Sequence, residues 1–484
     1  MMTLADIGEA LTGRRPRQAI SGSGVHCEAL PFGDVVVDSR LASPGSLFVA
    51  LPGEQRDGHE YVRDALARGA RGALVKPLMR QNPPPAILWQ PGDDLPDGPP
   101  LDKPICIVVE DTLQALQRIA AYWRRRFPAC QVIGVTGSLG KTTTKELVAA
   151  VLGQRFRALK SPGNYNNEIG LPLTLLRLDE SYERAVLEMS MYALGEIALL
   201  AEIAQPRVGV VTNVQPIHLE RLGSLARIAQ AKAELLAALP ADGAAVLNGD
   251  DPHVRAMGVA TPARRVLYYG LRPDNDLWAD QVSSRGLAGI ALRWHWQGRQ
   301  IPVELPLLGG HSVWTALAAA GVGLVEEMSW EEIIGGLRQP GSALRLTLLP
   351  GLRQTTILDD TYNAAPASTV AALDFLASLG GRAVAVLGDM LELGVAEEEG
   401  HRQVGRKAAE VVQRLLAVGP RARLIAEVAQ ASGLPAAAIH LAAGNQAAVA
   451  CLREWLQPED FVLIKGSRGM KMEEIVAAIK EEGA

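Results

Sequence analysis

Short apolar runs recur along this chain, and most are followed by a stretch whose apolar positions repeat at helical spacing. Between residues 1 and 109 the runs at 35–38, 47–51, 73–75 and 105–109 read as strands, and 60–68 as a helix. A second series follows. Asp111 or Thr112 can cap a helix that runs to Phe127, and strands at 132–135, 185–188, 208–213 and 245–248 then alternate with helical patterns. Beyond residue 342 come strands at 355–359, 383–387, 414–418 and 461–465. Alternation of this kind predicts the α/β class, with parallel, doubly wound sheets. Eight prolines between 81 and 104 predict an exposed loop there and forbid a central strand. The pattern divides the chain into domains of 1–110, 111–340 and 341–484, in keeping with 484 residues at about 150 per domain.

Composition adds exclusions. The net charge of −5, with no long run of one sign, lacks the basic footprint of a nucleic-acid binder. The four cysteines, Cys27, Cys106, Cys130 and Cys451, show no C-x-x-C spacing. They argue against structural zinc or a disulfide framework, and fit a reducing cytosol. The N-terminal residues carry acids and no apolar core of signal-peptide length, and no 18-residue apolar run predicts a membrane span. A soluble cytoplasmic enzyme is the expectation.

One segment carries most of the chemistry. Residues 132–147 read V-I-G-V-T-G-S-L-G-K-T-T-T-K-E-L: a buried strand, a glycine turn and a helix start. That order gathers backbone N–H groups and the positive end of a helix around one small volume, which favours a polyphosphate. Gly137, Ser138 and Gly140 form the turn. Lys141 offers a point charge to phosphoryl oxygens, Thr142 a hydroxyl for a phosphate-bound Mg²⁺, and Thr143 continues the motif. Val135 stands where the longer P-loop pattern has its first glycine, so this is a shorter variant of that loop.

Three ionisable residues follow at the same expected sheet edge. Glu188 ends an apolar strand, His218 comes just after the strand 208–213, and Lys232 lies on an alanine-rich helix. Each alone has an ordinary reading: a solvated strand-end acid, a polar loop histidine, a surface lysine with its stem on the helix. Their joint position downstream of a phosphate loop points to nucleotide chemistry.

The chain resembles the Mur ligase family nearly end to end. The similar segments are V-D-S-R at 37–40, P-G-S-L-F-V-A-L-P-G and D-G-H at 57–59; the phosphate loop; N-Y-N-N-E-I-G-L-P-L-T at 164–174; V-L-E-M at 186–189; T-N-V-x-x-x-H-L-E at 212–220; A-K-A-E at 231–234; N-G-D-D at 248–251; L-D-D-T-Y-N-A-A-P at 358–366; L-G-D-M-L-E-L-G at 387–394; and K-G-S-R at 465–468. The segments at 164–172 and 388–394 are most similar to those of the dipeptide-adding member.

The resemblance implies an N-terminal UDP-binding domain, a central P-loop ATPase domain and a C-terminal Rossmann-like domain. It implies an ATP-dependent ligation of D-alanyl-D-alanine to UDP-N-acetylmuramoyl-tripeptide through an acyl phosphate, by a cytoplasmic monomer. Two Mg²⁺ ions are implied, with Thr142, Glu188, His218 and a carbamylated Lys232 as ligands. Ser39, Arg40, Gly58, His59, Asn164, Asn166 and Asn167 match the UDP-substrate region. Arg345 matches an arginine that meets the γ-phosphate on closure, and Asp360 and Asn363 a nucleotide-facing loop. The chain departs from the pattern at Ser190, where glycine is usual, and at Ser312, Thr315 and Ala365, where asparagines are usual. Rival readings are a third-residue-adding or folate-polyglutamylating ligase of the same fold, and a nucleotide-binding regulatory protein without ligase activity.

Overall fold

The structure, a computed structural model, describes residues 1–16, 30–53, 56–93, 103–217, 219–339 and 346–481. It divides into two compact units. One comprises Met1–Ile133, Phe156–Ser190 and Glu196–Pro206, and the other Gly134–Arg155, Met191–Gly195 and Arg207–Ala484.

In the first unit a parallel sheet runs in the order Val35–Val36, Leu47–Val49, Gly72–Val75, Ile105–Val108, Ile87–Trp89. Its central strands are continuous apolar runs and fully buried, as strands covered on both faces must be. The four predicted strands are present. The proline-rich stretch holds a strand the sequence reading left out, Ile87–Trp89. It sits at the sheet edge, where neighbouring prolines leave no ladder bond unmade. The helix expected at 60–68 is a 3₁₀ turn, Gly58–Tyr61, leading into a short helix, Val62–Ala67.

Helix Leu4–Thr12, also unpredicted, opens with a capping box between Thr3 and Asp6. Helix Thr112–Arg125 has Asp111 as its cap, accepting from the Gln114 N–H. Its apolar face packs on helices Gly170–Leu175 and Glu196–Ala204. In the same unit Arg184–Glu188 runs parallel to Ala158–Lys160.

Strand Gln131–Thr136 carries the chain into the second unit. There Val208–Val211, Ala244–Asn248, Arg265–Gly270 and Leu277–Ser284 run parallel in that order. Ile290–Trp296 and Arg299–Leu305 then continue the sheet antiparallel. This meander departs from the purely alternating expectation. Its mark in the sequence is a period of two, with Ile290, Leu292 and Trp294 inward, closed by a two-residue turn in which Gln297 and Gly298 have φ of 48° and 77°.

A six-stranded sheet in the order Thr347–Gly351, Thr355–Asp359, Phe461–Lys465, Ala383–Gly388, Arg414–Val418, Ile439–Ala442 completes this unit, parallel except at its first strand. Apolar cores cover both its faces.

Candidate active site

Gly137 and Gly140 have φ of 147° and 79°, in the left-handed region that glycine enters at low cost. A β-carbon on Gly137 would lie 1.9 Å from the Thr212 hydroxyl, so no other residue fits. Gly140 is the cap of helix Lys141–Leu152, whose first N–H groups have no acceptor within the helix. Lys141 folds back over the turn, its Nζ donating to the carbonyls of Gly137 (2.8 Å) and Ser138 (3.2 Å). Ser138 does not present its own N–H outward: that group donates to the Asn213 carbonyl, and its hydroxyl bonds with Gln215.

Lys232, on helix Leu225–Ala237, is buried and forms no hydrogen bond or ion pair among the described residues. Burial, and secondarily the charge of Lys141, push its amine well below the ordinary lysine range. Two amines thus share the phosphate-loop end of the second unit, each within reach of the other's charge. His218 and Arg345 lie outside the described residues.

Glu188 belongs to the first unit. It is fully buried at its strand end, and its Oε1 accepts from the Asn166 amide at 2.8 Å. The loop of Asn164, Asn166 and Asn167 is folded on itself. Asn167 Oδ1 accepts from the Gly170 N–H, the Asn166 carbonyl accepts from Ser190, and a β-carbon on Gly170 would meet the Tyr165 Cα at 2.5 Å. Asn164 is exposed.

Of the UDP-region residues, Arg40 is largely exposed and paired with Asp38 at 2.6 Å, and Ser39 is buried in the same turn. His59 is committed internally: Nδ1 meets Asp57 at 2.6 Å and Nε2 accepts from the Lys76 N–H at 2.9 Å. Gly58 has no room for a side chain against Leu51. In the six-stranded sheet, Lys465 Nζ donates to Asp360 (2.5 Å) and to the Asn363 carbonyl (3.0 Å), bracing that loop from beneath. Thr315 donates to the Ser312 carbonyl and Ser312 to the Leu308 carbonyl, so neither hydroxyl proton is held for a ligand.

The sequence reading did not single out Thr212, Asn213, Asp251 or Lys465, although all four lie in segments it recognised. Their signal was position, at or just past the carboxyl end of a buried strand.

The family model of the Mur ligase middle domain matches residues 135–323, that of the Mur ligase glutamate ligase domain 344–468, and that of the Mur ligase family catalytic domain 33–124. A Bacillus subtilis relative named UDP-N-acetylmuramoyl-tripeptide–D-alanyl-D-alanine ligase is 35% identical over 486 residues, covering 99% of this chain and 98% of the relative. The chain belongs to the Mur ligase family. An Escherichia coli Mur ligase of the same name is 34% identical, covering 100% of this chain and 99% of the relative. Among solved structures, MurF from Acinetobacter baumannii superposes with a TM-score of 0.79 at 28% identity, covering 98% of each chain. MurF ligase from Thermotoga maritima, in complex with ADP, gives 0.75 at 27% identity, covering 93% of this chain and 97% of that one. The three-domain α/β architecture of Mur ligases is therefore the architecture of this protein.

Proposed function

We propose that the protein joins D-alanyl-D-alanine to UDP-N-acetylmuramoyl-tripeptide at the expense of ATP, in the cytoplasmic synthesis of peptidoglycan precursors. The observation that carries this reading is the glycine turn at 137–140, with Lys141 at its helix start and Lys232 buried within reach of its charge. Cations gathered at a glycine turn and the positive end of a helix suit a triphosphate. Residues 1–110 hold the UDP end, 111–340 the ATP and 341–484 the dipeptide. No helix among the described residues is long and apolar enough to cross a membrane. We place it in the cytoplasm as a monomer, and its net charge of −5 lacks the basic footprint of a nucleic-acid binder.

In the reaction the tripeptide's terminal carboxylate oxygen bonds to the γ-phosphorus as the bond to the ADP oxygen breaks. The dipeptide amine then attacks the acyl carbon, phosphate leaves, and the amine gives up a proton. Gly137, Gly140, Lys141, Thr142 and Thr143 hold the triphosphate, with Ser138 shaping the turn between them and Arg345, Asp360 and Asn363 meeting it from the third domain. Ser39, Arg40, Gly58, His59, Asn164, Asn166 and Asn167 serve the UDP substrate's side. A carboxylate and a triphosphate repel each other, and Mg²⁺ when bound offsets that repulsion.

Among the described residues no three His, Cys, Asp or Glu side chains cluster as metal ligands. The donors that would serve two Mg²⁺ are the Thr142 hydroxyl and the Glu188 carboxylate, hard oxygens that suit the ion, with His218 and Lys232. An ammonium there would be repelled by several kcal/mol, about 8 for a double charge at 4 Å and an effective dielectric near 20. A desolvated neutral amine can instead take up CO₂ and become an anionic carbamate, which is the form we assign to Lys232. The test is phosphate release from ATP with each substrate alone and with both. Release that requires UDP-N-acetylmuramoyl-tripeptide and D-alanyl-D-alanine together supports the ligase reading. Release with a single amino acid in place of the dipeptide, or none at all, overturns it.

A further inference from the structure

The shortened phosphate loop lacks the first glycine of the longer pattern and keeps two residues with positive φ, so its own sequence does little to hold its shape. The segment 212–215 holds it. Asn213 accepts from the Ser138 N–H through its carbonyl (2.9 Å) and from the Leu139 N–H through Oδ1 (2.9 Å), and its Nδ2 donates to the Leu139 carbonyl (3.1 Å). Thr212 Oγ1 donates to the same carbonyl at 2.6 Å, and Ser138 is tied to Gln215 on both sides of its hydroxyl.

The lacing segment is anchored in turn. Asn248 Nδ2 donates to the Thr212 carbonyl and Asp251 Oδ2 accepts from the Val214 N–H, both at 2.8 Å. Asp251 is itself held by the N–H groups of His253 and Val254. Every polar group of the Asn213 side chain that can bond to the loop does so.

We infer that Asn213, backed by Asp251, is a positioning residue for the nucleotide: it fixes the turn at 138–139, and with it the entry to helix Lys141–Leu152, in shape before ATP arrives. The inference rests on the ATP-dependent reading above. Its logic is preorganisation: a turn already laced in the ligand-free state loses little freedom when phosphate binds.

The test compares the wild type with Asn213→Ala, Asn213→Ser and Thr212→Val. ADP affinity is measured by calorimetry, and KM is measured for ATP, the UDP-tripeptide and the dipeptide. Asn213→Ala is expected to weaken ADP and raise the KM for ATP about tenfold or more, the worth of one to two lost hydrogen bonds. Thr212→Val should do the same to a smaller degree and Asn213→Ser should recover part of the loss, while both other KM values stay within about twofold. Unchanged ADP binding in correctly folded variants would overturn the inference. So would an equal rise in all three KM values with a lowered melting temperature, the mark of a purely structural residue. If the wild type itself fails to bind ADP, the ATP-dependent reading falls and takes the inference with it. Should Asn213→Ala not fold, Thr212→Val carries the comparison.

Discussion

Lys232 shows how much of this site depends on single side chains in unusual surroundings. Its sequence context, an alanine-rich helix, by itself favours the surface reading, and burial is what separates the two. Its lowered proton affinity has a definite sign in stability. Between its folded value and the ordinary 10.5, the unfolded chain carries a proton that the folded chain lacks. Unfolding therefore takes up a proton, and stability rises with pH through that window. Lys232→Met removes the term. In carbonate-free buffer the variant should resist urea better than the wild type at pH 7, and the gap should close as pH rises toward 10. A variant that is less stable at pH 7 would mean the amine is charged and paired in the folded protein. A second measurement addresses the carbamate. Lys232→Ala should lose most activity and regain part of it with a short added carboxylate, and a loss that no anion relieves would remove the carbamate from the site.

At the scale of elements, the same physics made some parts of the chain easy to read and hid others. Parallel strands buried on both faces are uninterrupted apolar runs, so those at 131–136, 184–188, 244–248, 355–359, 383–388, 414–418 and 461–465 stood out within a residue or two. The meander from Leu277 to Leu305 did not, because alternation of period two is easily lost among helical patterns. Ile87–Trp89 was hidden by its prolines, which exclude a central strand but tolerate an edge. Nor was the logic of N-Y-N-N-E-I-G legible. The motif was recognised as a unit, while the division of labour within it depends on a chain crossing that no spacing reveals. Asn167 caps the following helix, Asn166 holds Glu188, and Gly170 lets the loop pass over Tyr165. This gives a sharp expectation for a residue that touches no substrate. Gly170→Ala should destabilise by about 1–3 kcal/mol, the usual cost of forced overpacking. By displacing Asn166 from Glu188 it should also lower kcat at saturating substrates. Loss of stability with an unchanged kcat would show that the loop does not set the carboxylate.

Across the whole molecule, the chain passes between the two compact units five times before residue 207 and not at all afterwards. That pattern sets which pieces can fold by themselves. Residues 1–133 contain the complete five-stranded sheet but only part of their unit. Helix Thr112–Arg125, with Leu116, Ile119 and Trp123 on its buried face, packs in part on helices Gly170–Leu175 and Glu196–Ala204, supplied from later in the chain. Released alone, this fragment exposes that face to water at about 25 cal/mol per Å² of apolar surface. It should bind hydrophobic dyes and melt without a sharp transition. Residues 346–481 are the opposite case. All six strands, both covering helical layers and the apolar cores on either side lie within one continuous stretch, with Arg382 and Asp460 paired at 2.8 Å across the loops that join it. This fragment should give an α/β circular dichroism spectrum and a cooperative thermal transition. If it melts without cooperativity while residues 1–133 fold, continuity of the core within the chain does not govern independent folding here. In that case contacts from the rest of the second unit, such as Leu308 against the Phe375 side of the core, must carry the difference.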